Sequence, residues 1–173
     1  MSSLVLIDSQ FKGSTSVAHK ITGMDSTYDH YAVLVKGVGV GNNNGISVRV
    51  TKSGTAQTGS DYAFAGNNIQ GSGTHTIRHS ATANKVQLFN NVSANTDMNF
   101  GIPGFWLYCY DFASTNYDTI IAYGVSDTNI SGAIYNMPLN VARHKVASAS
   151  DGVEIVQNAG NLYISQIQLY GIS

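Results

Sequence analysis

Apolar and polar residues alternate with a period of two along much of this chain, the pattern of strands that bury one face and solvate the other. The clearest unit runs from Tyr31 to Lys52. An apolar stretch ends in Val38 and Val40, Asn42-Asn43-Asn44-Gly45 offers a turn, and the return alternates, with Ile46, Val48 and Val50 on one side and Ser47, Arg49 and Thr51 on the other. This predicts a β-hairpin. Further strands are predicted over Leu4–Asp8, Thr15–Thr22, Asp61–Ala65, Thr74–His79, Lys85–Phe89, Gly104–Phe112, Thr119–Val125, Ala133–Val141, Gly152–Gln157 and Leu162–Ile172. Turn clusters such as Gly71-Ser72-Gly73 and Asn158-Ala159-Gly160-Asn161 separate them. A parallel sheet needs helical crossovers, and no segment reads as one. The expected fold is therefore all-β, an antiparallel β-sandwich, jelly-roll-like, forming a single domain over residues 1–173.

Two predicted strands are apolar on both faces. In Gly104–Phe112 one side carries Trp106, Tyr108, Tyr110 and Phe112, and the other Phe105, Leu107 and Cys109. In Leu162–Ile172, strict alternation puts Tyr163, Ile167 and Leu169 on one face and Leu162, Ile164, Tyr170 and Ile172 on the other. A sandwich covers one face of each strand. The second face must meet a long loop or a neighbouring subunit, and tyrosine, with apolar area and a polar tip, suits an interface.

Composition supports this picture. There are 8 Leu against 29 Val plus Ile, a single glutamate (Glu154) and six lysines, so the residues that fill exposed helix positions are scarce. The 18 Gly and 16 Asn suit turns. Charged residues make up 11% of the chain and the formal net charge is -1, which argues against a nucleic-acid partner held by a basic field. No apolar run approaches the roughly 18 residues of a membrane helix, so no membrane partner is expected. Met1–Gly13 has no basic segment, and its apolar stretch, Leu4–Ile7, is too short for a signal peptide, so a cytoplasmic origin is expected.

Candidate chemistry is sparse. Cys109 is the one cysteine, set among aromatic residues, and reads as an inert buried thiol. His75 and His79 share a strand face about 13 Å apart at ~3.3 Å per residue, too far to hold one ion together. His144, between Arg143 and Lys145, reads as part of a solvated turn or an interface charge patch. Asp25-Ser26-Thr27-Tyr28-Asp29-His30 resembles a turn leading into a strand and lacks the spacing of an EF-hand loop. One glutamate leaves few candidates for a glycosidase acid, and no nucleophile elbow, zinc-protease or phosphate-loop motif occurs, so no enzyme activity, metal or cofactor is expected. Trp106, Tyr108 and Tyr110, with Tyr163 and Tyr170, are the candidate interface or glycan-stacking residues.

Two regions carry a family resemblance. Ser26-Thr27-Tyr28-Asp29-His30-Tyr31, the later Gly45-Ile46-Ser47-Val48-Arg49-Val50 and Thr51-Lys52-Ser53-Gly54, and Ser60-Asp61-Tyr62-Ala63 form the first; Gln168-Leu169-Tyr170-Gly171-Ile172 forms the second. Together they resemble short structural proteins of tailed bacteriophages, many of which end in Leu-Tyr-Gly-Ile. The resemblance implies a jelly-roll-like virion component, made in the host cytoplasm and trimeric. It would serve as a capsid decoration (cement) protein bound to the major capsid protein or to other virion proteins. The alternative is a tail-fibre or tail-tip adhesion module binding host-surface glycan.

Overall fold

The computed structural model describes residues 3–40, 44–70, 75–92, 102–128 and 133–173. The elements are β1 (Leu4–Phe11), β2 (Thr15–Ser16), β3 (Ala18–Thr22), β4 (His30–Val40), β5 (Asn44–Lys52), β6 (Thr55–Ala56), β7 (Tyr62–Gln70), β8 (His75–Ala83), β9 (Val86–Val92), β10 (Ile102–Tyr110), β11 (Asp118–Thr128), β12 (Ala133–His144), β13 (Gly152–Gln157) and β14 (Leu162–Ile172). They build two antiparallel sheets packed face to face, a β-sandwich. The larger has nine strands in the order β1-β14-β4-β10-β11-β12-β7-β8, with β2 beside β14; the smaller has five, β3-β13-β5-β6, with β9 on β5.

The core is one cluster between the sheets. Tyr31, Val33 and Val35 of β4, Phe105, Leu107 and Cys109 of β10, and Leu162, Ile164, Ile167 and Leu169 of β14 face Ile46, Val48 and Val50 of β5 and Val153 and Ile155 of β13, all at most 1% exposed. Each such side chain contributes roughly 1.5–3 kcal/mol by leaving water. Burial raises the Cys109 thiol above its ordinary range, as expected of an inert core cysteine.

Several expectations need correction. The segments predicted as a hairpin are both strands, but they do not pair: β4 lies between β14 and β10, and β5 between β13 and β9 or β6. Alternation is the same in a hairpin and in a chain crossing between layers. Here both strands have an apolar face, and opposing those faces across the core buries them against each other. Residues 41–43 of the predicted turn lie outside the described residues, as do Gly71-Ser72-Gly73. The predicted strand Thr15–Thr22 is two, broken at exposed Val17, with β2 in the larger sheet and β3 in the smaller.

The facing of β14 also differs. Val35 and Val38 are both buried, as are Ile164 and Ile167, so β4 and β14 switch inward parity together where Ser165 lies beside Gly37. The Ser165 hydroxyl donates to the Lys36 carbonyl at 2.8 Å across this irregularity. All four aliphatic side chains of β14 from Leu162 to Leu169 thereby enter one core, while Tyr163 and Tyr170 face outward. Phe112, predicted to share the face of Trp106, is instead 1% exposed in the core. The strand ends at Tyr110, and Asp111, with φ of 64°, turns the chain inward.

The outer face of the smaller sheet is polar and ordered by charge. Glu154 sits on β13 in register with Lys20 of β3 on one side and Arg49 of β5 on the other. Its carboxylate lies 3.1 Å from the Arg49 guanidinium and 3.8 Å from the Lys20 ammonium. The only glutamate in the chain thus stitches three strands together.

Candidate functional site

β10 runs through the larger sheet between β4 and β11, and its inward residues are held in the core, so Trp106, Tyr108 and Tyr110 are directed onto the opposite, outer face. No described segment covers them completely, and all three are half-buried. Trp106 and Tyr108 lie side by side with ring centroids 6.1 Å apart and planes 19° from parallel. Tyr170 of β14 joins them, its ring 5.8 Å from Trp106. Tyr110 pairs instead with His30, the rings 4.7 Å apart. Tyr163, at the start of β14 opposite Gly39 and Thr15, is about 23 Å along the strand from Tyr170 and belongs to no part of this cluster. Of the five candidate residues, three converge, one stands at the end of the row and one lies apart.

Strand register extends the aromatic cluster into a broad face. Leu6 of β1 pairs Tyr170, Tyr170 pairs Ala32, and Ala32 pairs Tyr108. Tyr108 then pairs Ile121, Ile121 pairs Val141, and Val141 pairs Ala65. This row crosses the sheet for roughly 29 Å at ~4.8 Å per strand. A second row runs from Gln168 through Leu34 and Trp106 to Tyr123, and a third from Ile172 through His30, Tyr110 and Thr119 to Arg143. Arg143 is the one formally charged side chain in these rows. Tyr123, Leu139 and Val141 are 53%, 50% and 41% exposed, and edge strand β1 adds Leu4 and Leu6 at 56% and 52%. Monomers seldom expose contiguous apolar patches beyond a few hundred Å².

Sequence reasoning missed Tyr123, Leu139, Val141 and the β1 aliphatics as members of this face. Each sits in a strand with apolar residues of both parities, a signal present in the sequence, but their alignment with Tyr108 comes from pairing across six strands.

A second constellation is buried at the end of β11 and β12. Asp118 and His144 are register partners, and the carboxylate lies 2.9 Å from His144 Nδ1. The Ser150 hydroxyl donates to the same carboxylate oxygen at 2.7 Å, and the Tyr62 ring packs 4.9 Å from the imidazole. All three polar residues are at most 2% exposed. His144 is therefore no member of a solvated basic turn; the parity that exposes Arg143 sends it inward. The serine bonds to the carboxylate and not to the imidazole, so the set is not ordered as a nucleophile relay. Desolvation raises the Asp118 carboxyl above its ordinary range, against the lowering effect of the His144 and Ser150 hydrogen bonds.

The two segments of the family resemblance meet in space. The Tyr28 ring lies flat on the backbone of Gly171, with three ring carbons within 2.6 Å of where a Cβ would stand, and it packs edge-on to Tyr31, 6.0 Å away. The Tyr31 hydroxyl hydrogen-bonds Asp25, whose carboxylate is held low by hydrogen bonds from Thr27 and from Tyr31. As expected, Asp25–Asp29 forms a turn into β4. Among the described residues no group of three or more His, Cys, Asp or Glu gathers as a metal site, at His75 and His79 or elsewhere.

Fold and site together define a class: a two-layer antiparallel β-sandwich whose larger sheet presents an aromatic, weakly charged outer face. Comparison with known proteins adds no membership to that description, since no family model matches the chain and no curated protein sequence matches it significantly.

Proposed function

We propose that this chain is a structural protein of a tailed-bacteriophage particle, a decoration protein that docks the outer face of its larger sheet on neighbouring subunits. The observation that carries the reading is the uncharged row from Leu6 through Tyr170, Tyr108 and Ile121 to Val141, half-buried at its centre and exposed at both ends. Aromatic residues with depleted charge are the composition of interface cores. The resemblance at Tyr28 and Gly171 supplies the particle. Binding to the assembled shell and not to free subunits would favour assembly by mass action, and association of copies, in the family a trimer, would raise avidity.

The test uses shells stripped of the protein. Wild-type chain should rebind and raise the temperature at which the shell disrupts, whereas a Tyr123→Lys/Val141→Lys variant, altered at exposed positions, should lose about tenfold or more in affinity. Rebinding unaffected by both lysines, or no rebinding at all, would end the reading. A second reading, adhesion to host glycan, is favoured by the near-parallel Trp106 and Tyr108 rings, which form a platform for a sugar face. Imaging that places the chain at tail tips, with glycan binding lost in Trp106→Ala, would select it.

A further inference from the structure

β4 begins at His30 and β10 ends at Tyr110, and these two residues are register partners. The loop entering β4 and the loop leaving β10 therefore rise side by side at one end of the larger sheet. Between them is a cleft of about 450 Å³, lined by Ser26, Tyr28, Asp29 and His30 from the first loop and by Asp111 and Ser114 from the second. That volume lies within the range of small-molecule sites, roughly 300–1,000 Å³.

The lining is rich in uncommitted acceptors. Among the described residues the ion pairs engage Glu154 and Asp118, and neither Asp29 nor Asp111 has a charged partner. The walls are also fixed. Tyr28 is seated between Gly171 and Tyr31, the His30 ring packs tilted against Tyr110, and Asp111 is held in the left-handed region, which aspartate tolerates better than most residues. Ser114 returns its amide and hydroxyl to the Asp111 carbonyl, closing the second loop.

We propose that this cleft binds a neutral saccharide unit. Two carboxylates accept from adjacent sugar hydroxyls, the Ser26 hydroxyl donates or accepts, and the Tyr28 ring covers an apolar sugar edge. An anionic ligand would meet two carboxylates and no cation in the lining. A calcium ion would find two carboxylates where six to eight oxygens are needed. The site is separate from the aromatic docking face and does not rest on the decoration reading.

The experiment is a titration of isotope-labelled full-length protein, followed by amide chemical shifts. The probes are D-glucose, D-galactose, N-acetyl-D-glucosamine and L-rhamnose, with calcium chloride as a separate arm. At least one sugar should give saturable shifts confined to residues 26–30 and 111–114, with affinity on the order of millimolar. An Asp29→Ala/Asp111→Asn variant should bind about tenfold or more weakly. Its spectrum elsewhere should be unchanged, since Asp29 is exposed and asparagine tolerates the backbone at 111. The proposal is overturned if no sugar gives saturable shifts, if the shifts centre on Trp106 and Tyr123, or if they survive the double variant. It is equally overturned if calcium alone saturates the same amides. Failure of the shell-binding test would leave this titration unaffected.

Discussion

Replacing Gly171 with alanine should destabilise the protein only as long as Tyr28 is present. A Cβ at 171 would stand 2.4, 2.5 and 2.6 Å from three carbons of the Tyr28 ring, whereas carbon atoms settle near ~3.5 Å. The ring would have to withdraw by about 1 Å, giving up its edge contact with Tyr31 and its seat on β14. Overpacking of this kind costs about 1–3 kcal/mol. For a chain of this length that is a midpoint roughly 2–12 °C lower. Gly171 does not have a left-handed φ, so alanine fits its backbone and by itself should stabilise by ~0.4–1 kcal/mol through the unfolded chain. In a Tyr28→Ala background the sign should therefore reverse: Gly171→Ala becomes neutral or stabilising. The assay is urea or thermal unfolding of the four proteins of this cycle, read by fluorescence of Trp106, the only tryptophan. Equal destabilisation in both backgrounds, additive within about 0.5 kcal/mol, would refute the contact.

Three further outcomes are expected. Gly66→Ala would place a Cβ 1.3 Å from Asn140 Oδ1, breaking the Asn140 Nδ2–H donation to the Leu88 carbonyl at 3.1 Å; it should cost about 2–5 kcal/mol in urea unfolding, and Asn140→Ala should suppress most of the steric part. Because the Asp118 carboxyl is raised in the fold, folding stability should fall as pH rises from near its ordinary 3.8 through its raised folded value; Asp118→Asn should flatten that slope, and an unchanged slope in the variant would refute its assignment to Asp118. Glu154→Gln keeps its hydrogen-bonding shape but leaves Arg49 without its carboxylate at 3.1 Å; a loss of about 1–3 kcal/mol that shrinks at high salt is expected, and a salt-independent loss would point to packing instead.

How far the candidate site was legible follows from which forces are local. Trp106, Tyr108 and Tyr110 share parity in one strand, so their common face was readable. That Tyr170 joins them depends on β14 lying beside β4, and on a parity switch at Ser165 and Gly37 that no alternation rule contains. The buried pair of Asp118 and His144 was hidden for a similar reason. The residues on either side of His144 are basic and suggest solvent, yet the strand turns the imidazole inward to meet a carboxylate 26 positions away. The cleft was invisible because its walls come from two loops about 80 residues apart in the chain.

By itself the sequence determined the fold class. Scarce helix formers, plentiful β-branched and turn residues and a period of two leave strands as the only way to bury this much Val and Ile, and steric alternation at the backbone sets the inward residues of a strand until an irregularity such as that at Gly37 and Ser165 shifts them. Sheet membership was left to the tertiary structure. Alternation states which side of a strand is apolar but not which strand lies beside it, so the Tyr31–Lys52 pattern fitted a hairpin as well as the crossing between layers that it is. The outer face exists through those same choices: β14, β4, β10, β11 and β12 are adjacent because their inner faces fill one core, β1 pairs with β14 at the edge, and adjacency aligns the outer aromatic and aliphatic residues of all six into one surface.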